Sequence, residues 1–311
     1  MYLGIEIGGT KLQLGMGDGD GVIHSLWRGN VVPTDGADGI RRQITAAIPK
    51  LLTSAKRKRD ELKGVGIGFG GPVNDATRTV IKSHQIQGWD DFPLAKWIEE
   101  ITSLPAALGN DADVAGLAEA LFGAGKGLSP IFYITIGSGI GGGLIINGEI
   151  YRGCGRGAAE IGHLRLPLQD RYVPLEAIAS GWAIEQWARK EAERQPETWK
   201  TVFGDDSKLQ TRQIADAAQN GHDPAWHILY RAWVALADAI CQVIALTSPR
   251  RIVIGGGVSL MGENVLFEPL RKLVAERVFK PFADCYDIVP AALGEEVVVH
   301  GALALARKRL D

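Results

Sequence analysis

The sequence predicts an α/β protein of two domains, on three observations. The chain has 311 residues, and domains run to about 150 residues each. Short apolar runs bounded by glycine alternate with longer segments of helical spacing. One unit occurs twice, beginning near Tyr2 and near Ile131: a glycine-rich turn and hairpin strands, then alternating helix and strand. The boundary falls near Gly116–Gly125. Residues 1–118 form the first domain and residues 119–297 the second, with a closing helix over 298–311 packing back on the first.

Tyr2–Ile7 alternates and is β-branched, so it reads as a strand. Gly8-Gly9 turns it into a second strand, Lys11–Gly17, and Val22–Arg28 makes a third, which gives a β-meander opening. Ile40, Ile44, Ile48, Leu51 and Leu52 recur at helical spacing across Asp38–Lys56. The Lys56–Arg59 cations at its end suit the negative end of a helix dipole. Gly64–Phe69 is a buried strand feeding Gly70-Gly71-Pro72. Phe92–Ile101 is a helix, Pro105–Leu108 a strand ending at Asn110-Asp111, and Ala112–Gly123 a small-residue helix.

The second half opens with a strand at Ile131–Ile136. The glycine cluster Gly137–Gly143 follows, then strand Leu144–Ile146 and an Asn147-Gly148 turn. Helices are expected over Glu176–Glu193, Thr211–Asn220, Pro224–Thr247, Leu266–Val278 and Val297–Arg309, with strands at Arg251–Ile254 and Tyr286–Val289. No role is assignable to Val202–Lys208. The apolar stretch Leu229–Leu246 is interrupted by Arg231 and Asp238, so it reads as a core helix and not a membrane span.

Composition narrows the function classes. Lys and Arg number 34 against 36 Asp and Glu, a net charge of −2. That balance gives no support to a nucleic-acid or membrane partner. Glycine is the departure, at 40 residues against an average of roughly 7%, and it is bunched into motifs. Cys154, Cys241 and Cys285 are too widely spaced for a disulfide framework or a C-x-x-C pair. Reduced thiols and the lack of a signal-like start point to the cytoplasm.

Three glycine clusters sit at strand ends. In Gly8-Gly9-Thr10-Lys11 the backbone can turn tightly and offer N–H groups to an anion, with a hydroxyl and a cation beside them. The spacing is too short for a Walker A loop and no helix follows. Gly137-Ser138-Gly139-Ile140-Gly141-Gly142-Gly143 also lies between strands, whereas a dinucleotide fingerprint would open a helix. Gly255-Gly256-Gly257 follows a buried strand and lets something flat approach the backbone. Each cluster alone also fits a plain glycine turn; three together in two similar halves are more specific.

Asn110-Asp111 ends a strand before a helix. On the residues alone Asp111 reads first as a helix N-cap. A general base for phosphoryl transfer is the alternative, with Asn110 holding a neighbouring hydroxyl. Glu160, His163 and Glu176 suit the directional hydroxyls of a sugar. They also fit a surface charge, a half-buried histidine and a first-turn helix carboxylate.

Taken together, the motifs resemble the ROK family of sugar kinases, within the actin-like ATPase superfamily, over essentially the whole chain. The carrying segments are Gly4–Lys11 (GIEIGGTK), Val65–Asn74 (VGIGFGGPVN), Gly109–Gly125, Ile134–Gly153, Ala158–Leu166 (AAEIGHLRL), Leu175–Gly181 (LEAIASG) and Val253–Ser259 (VIGGGVS). The resemblance implies a two-lobed actin-like (ribonuclease H-like) α/β fold, with mixed sheets flanked by helices and a sugar and ATP cleft between lobes. By it, Gly8, Gly9, Thr10 and Lys11 hold the ATP phosphates. Gly137, Ser138 and Gly139 grip them from the second lobe, and Gly255 and Gly256 border the adenosine. Asp111 is the base. Asn110, Glu160, His163 and Glu176 bind sugar hydroxyls, over a floor of Gly71 and Pro72.

Two positions depart from the family pattern. Glu6 stands where aspartate is usual; it still offers a carboxylate to magnesium through water, as in some fructokinase-like members. The family's C-x-C-G-x-x-G-C zinc loop, normally completed by the histidine, is replaced by Leu164–Leu175 (LRLPLQDRYVPL), which has no cysteine. No structural zinc is therefore expected, and Pro167 and Pro174 are expected to stiffen the loop.

The expected activity is an ATP- and magnesium-dependent hexose kinase acting on the 6-hydroxyl of an aldohexose, glucose first, in carbohydrate metabolism and glycolysis. Fructose, mannose, allose and N-acetylhexosamines are alternatives. The resemblance also implies a homodimer. A sugar-responsive regulator would carry a DNA-binding domain ahead of the first strand, which begins at Tyr2, and a non-catalytic sugar binder would not need Asp111 or the Gly8–Lys11 loop.

Overall fold

The computed structural model describes residues 1–83, 85–204 and 209–311, so most of the Val202–Lys208 stretch lies outside the described residues. In chain order the first elements are β1 (Tyr2–Ile7), β2 (Lys11–Gly17), β3 (Ile23–Asn30), α1 (Gly36–Ser54), β4 (Gly64–Phe69), β5 (Val73–Asn74), β6 (Thr79–Val80), α2 (Leu94–Thr102), β7 (Ala106–Asn110) and α3 (Asp111–Leu121). Next come β8 (Ile131–Ile136), β9 (Ile140–Ile146), β10 (Glu149–Ile150), β11 (Arg165–Leu168), β12 (Arg171–Pro174), α4 (Glu176–Ala179), α5 (Gly181–Arg194), α6 (Pro196–Phe203) and α7 (Thr211–Gln219). The chain closes with α8 (Asp223–Thr247), β13 (Arg251–Gly255), α9 (Glu268–Arg277), β14 (Ile288–Pro290) and α10 (Val297–Leu310).

The repeated unit read from the sequence is visible as two five-stranded sheets of the same order, β3-β2-β1-β4-β7 and β10-β9-β8-β13-β14. In the first, β1 pairs antiparallel with β2 and parallel with β4, which is parallel to β7. In the second, β9–β10 is antiparallel and β13–β14 parallel. The chain divides into two compact units. Unit 1 is Met1–Tyr133, Gly143–Ala159 and Ala291–Asp311; unit 2 is Ile134–Gly142 and Glu160–Pro290.

Strand alternation explains the core of unit 1. Odd positions Leu3, Ile5, Ile7, Val65, Ile67 and Phe69 are buried in one cluster with Ile40, Ile44 and Ile48 of α1. Even positions Gly4, Gly66 and Gly68 face α10. A side chain on Gly66 would stand 1.8 Å from the Ala302 carbonyl oxygen, so its absence is what lets α10 lie on the sheet. Glu119, 0% exposed, pins the entry to α10: its carboxylate accepts from the Ala124, Ala292 and Leu293 amides at 2.7–2.9 Å.

In unit 2, α8 is long and apolar enough by composition to cross a membrane, but 61% of that apolar window is buried inside the fold. Its Trp233 is fully buried and donates to the Val265 carbonyl at 2.8 Å. Here α8 is a core helix.

Three local readings change. The Glu176–Glu193 run is two helices, because Ser180 adopts extended backbone and its hydroxyl accepts from the Ala183 amide. The basic run Lys56–Arg59 lies just past the end of α1. Leu164–Leu175 contains a two-stranded hairpin, β11–β12, in which Pro167 faces Tyr172.

Candidate active site

The first group of candidate residues lies in unit 1. The β1–β2 turn closes with the Gly8 amide donating to Lys11 O at 3.1 Å. Glu6, one strand position before the turn, is 6% exposed. Its Oε1 is 3.4 Å from Lys11 Nζ, and its Oε2 is buried with no hydrogen-bond partner. Burial pushes the Glu6 carboxyl up to about 7; Lys11 opposes that shift and Asp111 adds to it. Lys11 also donates to the Glu295 carbonyl at 2.8 Å.

β7 delivers Asn110 and Asp111. Asn110, not Asp111, is the N-cap of α3: it has extended backbone and its Oδ1 accepts from Ala112 N at 2.8 Å and Asp113 N at 3.3 Å. Its Nδ2 donates to Gly71 O at 3.0 Å, tying the cap to the Gly71–Pro72 segment. Asp111 is the first residue of the helix, with Oδ1 accepting from the Ala112 amide at 2.8 Å. Its Oδ2 lies 3.4 Å from where a Gly70 side chain would begin, so it sits beside the bare backbone of Gly70.

Two unit 1 contributors went unrecognised in the sequence. The Gln85 carboxamide lies over Gly9; a Cβ there would fall 1.3 Å from Gln85 Oε1. Arg152 donates to Asp75 Oδ1 at 2.6 Å, and the Asp75 amide donates to Gly155 O at 3.0 Å, which fixes the glycine loop ahead of Glu160. Desolvation lowers the Arg152 guanidinium from its ordinary value, and the Arg309 charge adds to that. No local signal marks either residue, because each acts across a loop.

The second group lies in unit 2. Gly137 N donates to Gly139 O at 2.9 Å, a tight turn after β8, and Gly181 N donates back to Gly137 O at 2.8 Å. Gly256 has φ +83° and packs on the end of β8; a Cβ there would meet Ile136 O at 2.6 Å. The Gly255-Gly256 turn therefore lies beside Gly137, Ser138 and Gly139. A Gly139 side chain would begin 3.1 Å from Glu176 Oε2, so that carboxylate lies against the same turn. Desolvation raises the Glu160 carboxyl; the charge of His163 opposes the shift and that of Glu176 adds to it, so both lie within electrostatic reach of Glu160. Gly162 is required between them, since a Cβ would stand 2.0 Å from Ile140 O. The β11–β12 hairpin spans from His163 to Glu176, and Leu175 N donates to Leu164 O at 2.9 Å at its base. Thr10, Pro72 and Ser138 occupy the loops expected of them.

A profile of the ROK family matches residues 2–309. The chain belongs to the ROK family. This ROK protein is 33% identical over 323 residues to a glucokinase of Streptomyces coelicolor, covering 99% of the chain and 98% of the relative. It is 30% identical over 315 residues to a glucokinase of Thermotoga maritima, covering 99% and 98%. A ROK family glucokinase from Streptomyces griseus, solved in complex with glucose and AMPPNP, superposes with a TM-score of 0.82 at 30% identity, covering 99% of both chains. The fold of this ROK protein is thus the actin-like ATPase fold of ROK sugar kinases, with mixed sheets flanked by helices.

Proposed function

We propose that this ROK protein is an ATP-dependent hexose kinase, transferring the γ-phosphoryl group to the 6-hydroxyl of an aldohexose, with glucose as first choice. The observation that carries the reading is the placing of Asp111. It starts α3, its helix is capped by Asn110, the cap is tied to Gly71, and its Oδ2 lies beside the bare backbone of Gly70. A carboxylate held this way can accept a hydroxyl proton. The freed oxygen bonds to the γ-phosphorus, the bond from that phosphorus to the β,γ-bridging oxygen breaks, and ADP leaves with the electron pair.

The Gly8 and Gly137 amides close the two glycine turns themselves; the residues assigned to the phosphates beyond them are Gly9, Thr10 and Lys11 in unit 1 and Ser138 and Gly139 in unit 2, with amides, hydroxyls and a cation. Gly255 and Gly256 border the adenosine. For the sugar hydroxyls the assigned residues are Asn110 with Gly71 and Pro72 in unit 1, and Glu160, His163 and Glu176 in unit 2. Sites that hydrogen-bond hydroxyls discriminate strongly against sugars that lack them. Relatives named glucokinase at 30–33% identity support the choice of glucose.

Magnesium fits the residues present. Glu6 keeps a buried carboxylate oxygen without a partner, and a cation that retains its waters needs only one or two carboxylates beside phosphate. When bound, the ion neutralises charge on the transferring phosphoryl group. The Leu164–Leu175 hairpin takes the place of the family's zinc loop, and no zinc is assigned to it.

The test is an ADP-release assay with ATP and magnesium. One hexose, glucose in this reading, should turn over. Asp111→Asn should cut kcat by about 10²–10⁴-fold, the usual worth of a general base. Full activity in that variant would remove Asp111 from the mechanism.

A further inference from the structure

A cavity of about 900 Å³ lies within unit 2. Its walls come from Gly137–Ser138, the start of α5, the first turns of α7 and the Gly257–Met261 turn. The volume suits a cofactor-sized ligand, for which pockets run to about 300–1,000 Å³. Two large apolar side chains stand exposed on these walls, Trp182 at 57% and Leu260 at 83%. Exposed apolar groups lining a concave surface point to a ligand that covers them. The lining cations Arg189 and Arg212 are matched by Glu185 and Asp216, so formal charge does not select an anion at this end.

The start of α5 is fixed from two sides. Gly181 N donates to Gly137 O at 2.8 Å, placing Trp182 one residue from the glycine turn. Thr211 Oγ1 donates to Glu185 Oε1 at 3.0 Å and Gly181 O at 3.2 Å, and Thr211 N donates to Glu185 Oε1 at 3.1 Å. The indole is therefore carried by a rigid backbone beside the turn assigned to phosphates.

We propose that Trp182 selects a phosphoryl donor that carries a base over one that does not: its indole face, with Leu260, covers the base of a nucleoside di- or triphosphate whose phosphates meet the Gly137–Ser138 turn. Donor selection rests on the kinase reading; nucleotide binding at Trp182 does not. A flat π-face against the base gives affinity through stacking, which tolerates the base's identity better than hydrogen bonding does.

Calorimetric titration with ADP alone, and with tripolyphosphate as a probe that lacks a base, tests this on wild type, Trp182→Ala and Trp182→Phe. ADP should bind Trp182→Ala about tenfold more weakly, near the low end of what a base–aromatic stack contributes. Trp182→Phe should stay within about threefold of wild type, and tripolyphosphate should not distinguish the three proteins. In turnover, KM for ATP should rise about tenfold in Trp182→Ala, with kcat and the sugar KM within about twofold. Equal ADP affinity in wild type and Trp182→Ala overturns the proposal, as does equal weakening of ADP and tripolyphosphate, or a wild type that binds no ADP. A wild type that phosphorylates a sugar with a KM for ATP insensitive to Trp182→Ala sinks the proposal and leaves the kinase reading standing. Trp182-dependent ADP binding without turnover of any sugar does the reverse.

Discussion

Replacing Asn110 with alanine should destabilise the protein and slow it at once, because one side chain holds both the helix and Asp111, the base proposed above. In the structure Asn110 accepts from the Ala112 and Asp113 amides and donates to Gly71 O. Losing an N-cap costs about 1 kcal/mol, and leaving the half-buried Gly71 carbonyl without its donor costs about 1 kcal/mol more. The sum, about 2 kcal/mol, lowers the melting temperature by roughly 4–8 °C for a unit of this size. Asn110→Asp keeps the cap and loses only the donor, so about half that shift is expected. Thermal unfolding followed by circular dichroism reads the stability, and the ADP-release assay reads kcat, which should fall about tenfold or more in Asn110→Ala as Asp111 loses its anchor. Equal melting temperatures for wild type and Asn110→Ala would refute the capping argument. Equal losses in the alanine and aspartate variants would show that the Gly71 bond, not the cap, carries the effect.

Three further outcomes are expected. Gly66→Ala should abolish soluble folded protein or cost about 3 kcal/mol or more in urea unfolding, because the new methyl meets the backbone oxygen of Ala302 at 1.8 Å and no rotamer relieves it; near-wild-type stability would mean that α10 can move off the sheet. At pH 8, Cys154, which is exposed, should react with a maleimide far faster than Cys241, whose thiol burial pushes up to about 11. The thiolate fraction of Cys241 is then about 100-fold below that of a thiol at 9, and equal rates by mass spectrometry would contradict that burial. The folded state raises the Glu160 carboxyl, so it binds a proton there more tightly than the unfolded chain does. That contribution to stability is present below the ordinary carboxylate range and is lost as pH rises through the folded value; Glu160→Gln should therefore gain stability relative to wild type as pH rises through and above the ordinary carboxylate range, and parallel pH profiles would remove the effect.

The residues that carry local signals were legible. β1, β2, β4 and β8 have the ranges their alternation and flanking glycines imply. The duplication of sheet order follows from the two meander openings. Other features depend on partners that sequence spacing does not name. Asn and Asp cap equally well, and only the extended backbone of Asn110 decides between the two neighbours. The Ser180 break in a helical run was marked by a serine before Gly181, but the apolar spacing continued across it. The β11–β12 hairpin was hidden by Pro167, which argues against a strand except at an edge, where a two-stranded hairpin places it. α6 has proline at its first turn and a Trp199–Phe203 stack one turn apart, signals that a polar run obscured. The glycines of β4 read as a buried strand, while their reason, the approach of α10, lies in the far end of the chain.

At the candidate site, the glycine turns after β1 and β8 were legible from the strands that flank them, and the groups that hold the loops were not. Gln85 over Gly9, and Arg152 with Asp75 at the glycine loop, act through contacts between segments distant in the chain. Such contacts leave no periodicity to read.

The most direct measurement is ADP release by the wild-type protein and by Asp111→Ala, with ATP and magnesium, across a panel of hexoses and N-acetylhexosamines. Phosphorylation of glucose, lost by about 10²–10⁴-fold in the variant, is the result predicted here. Absence of turnover with every sugar, from a protein whose melting temperature those sugars still raise, would contradict the assignment of a hexose kinase.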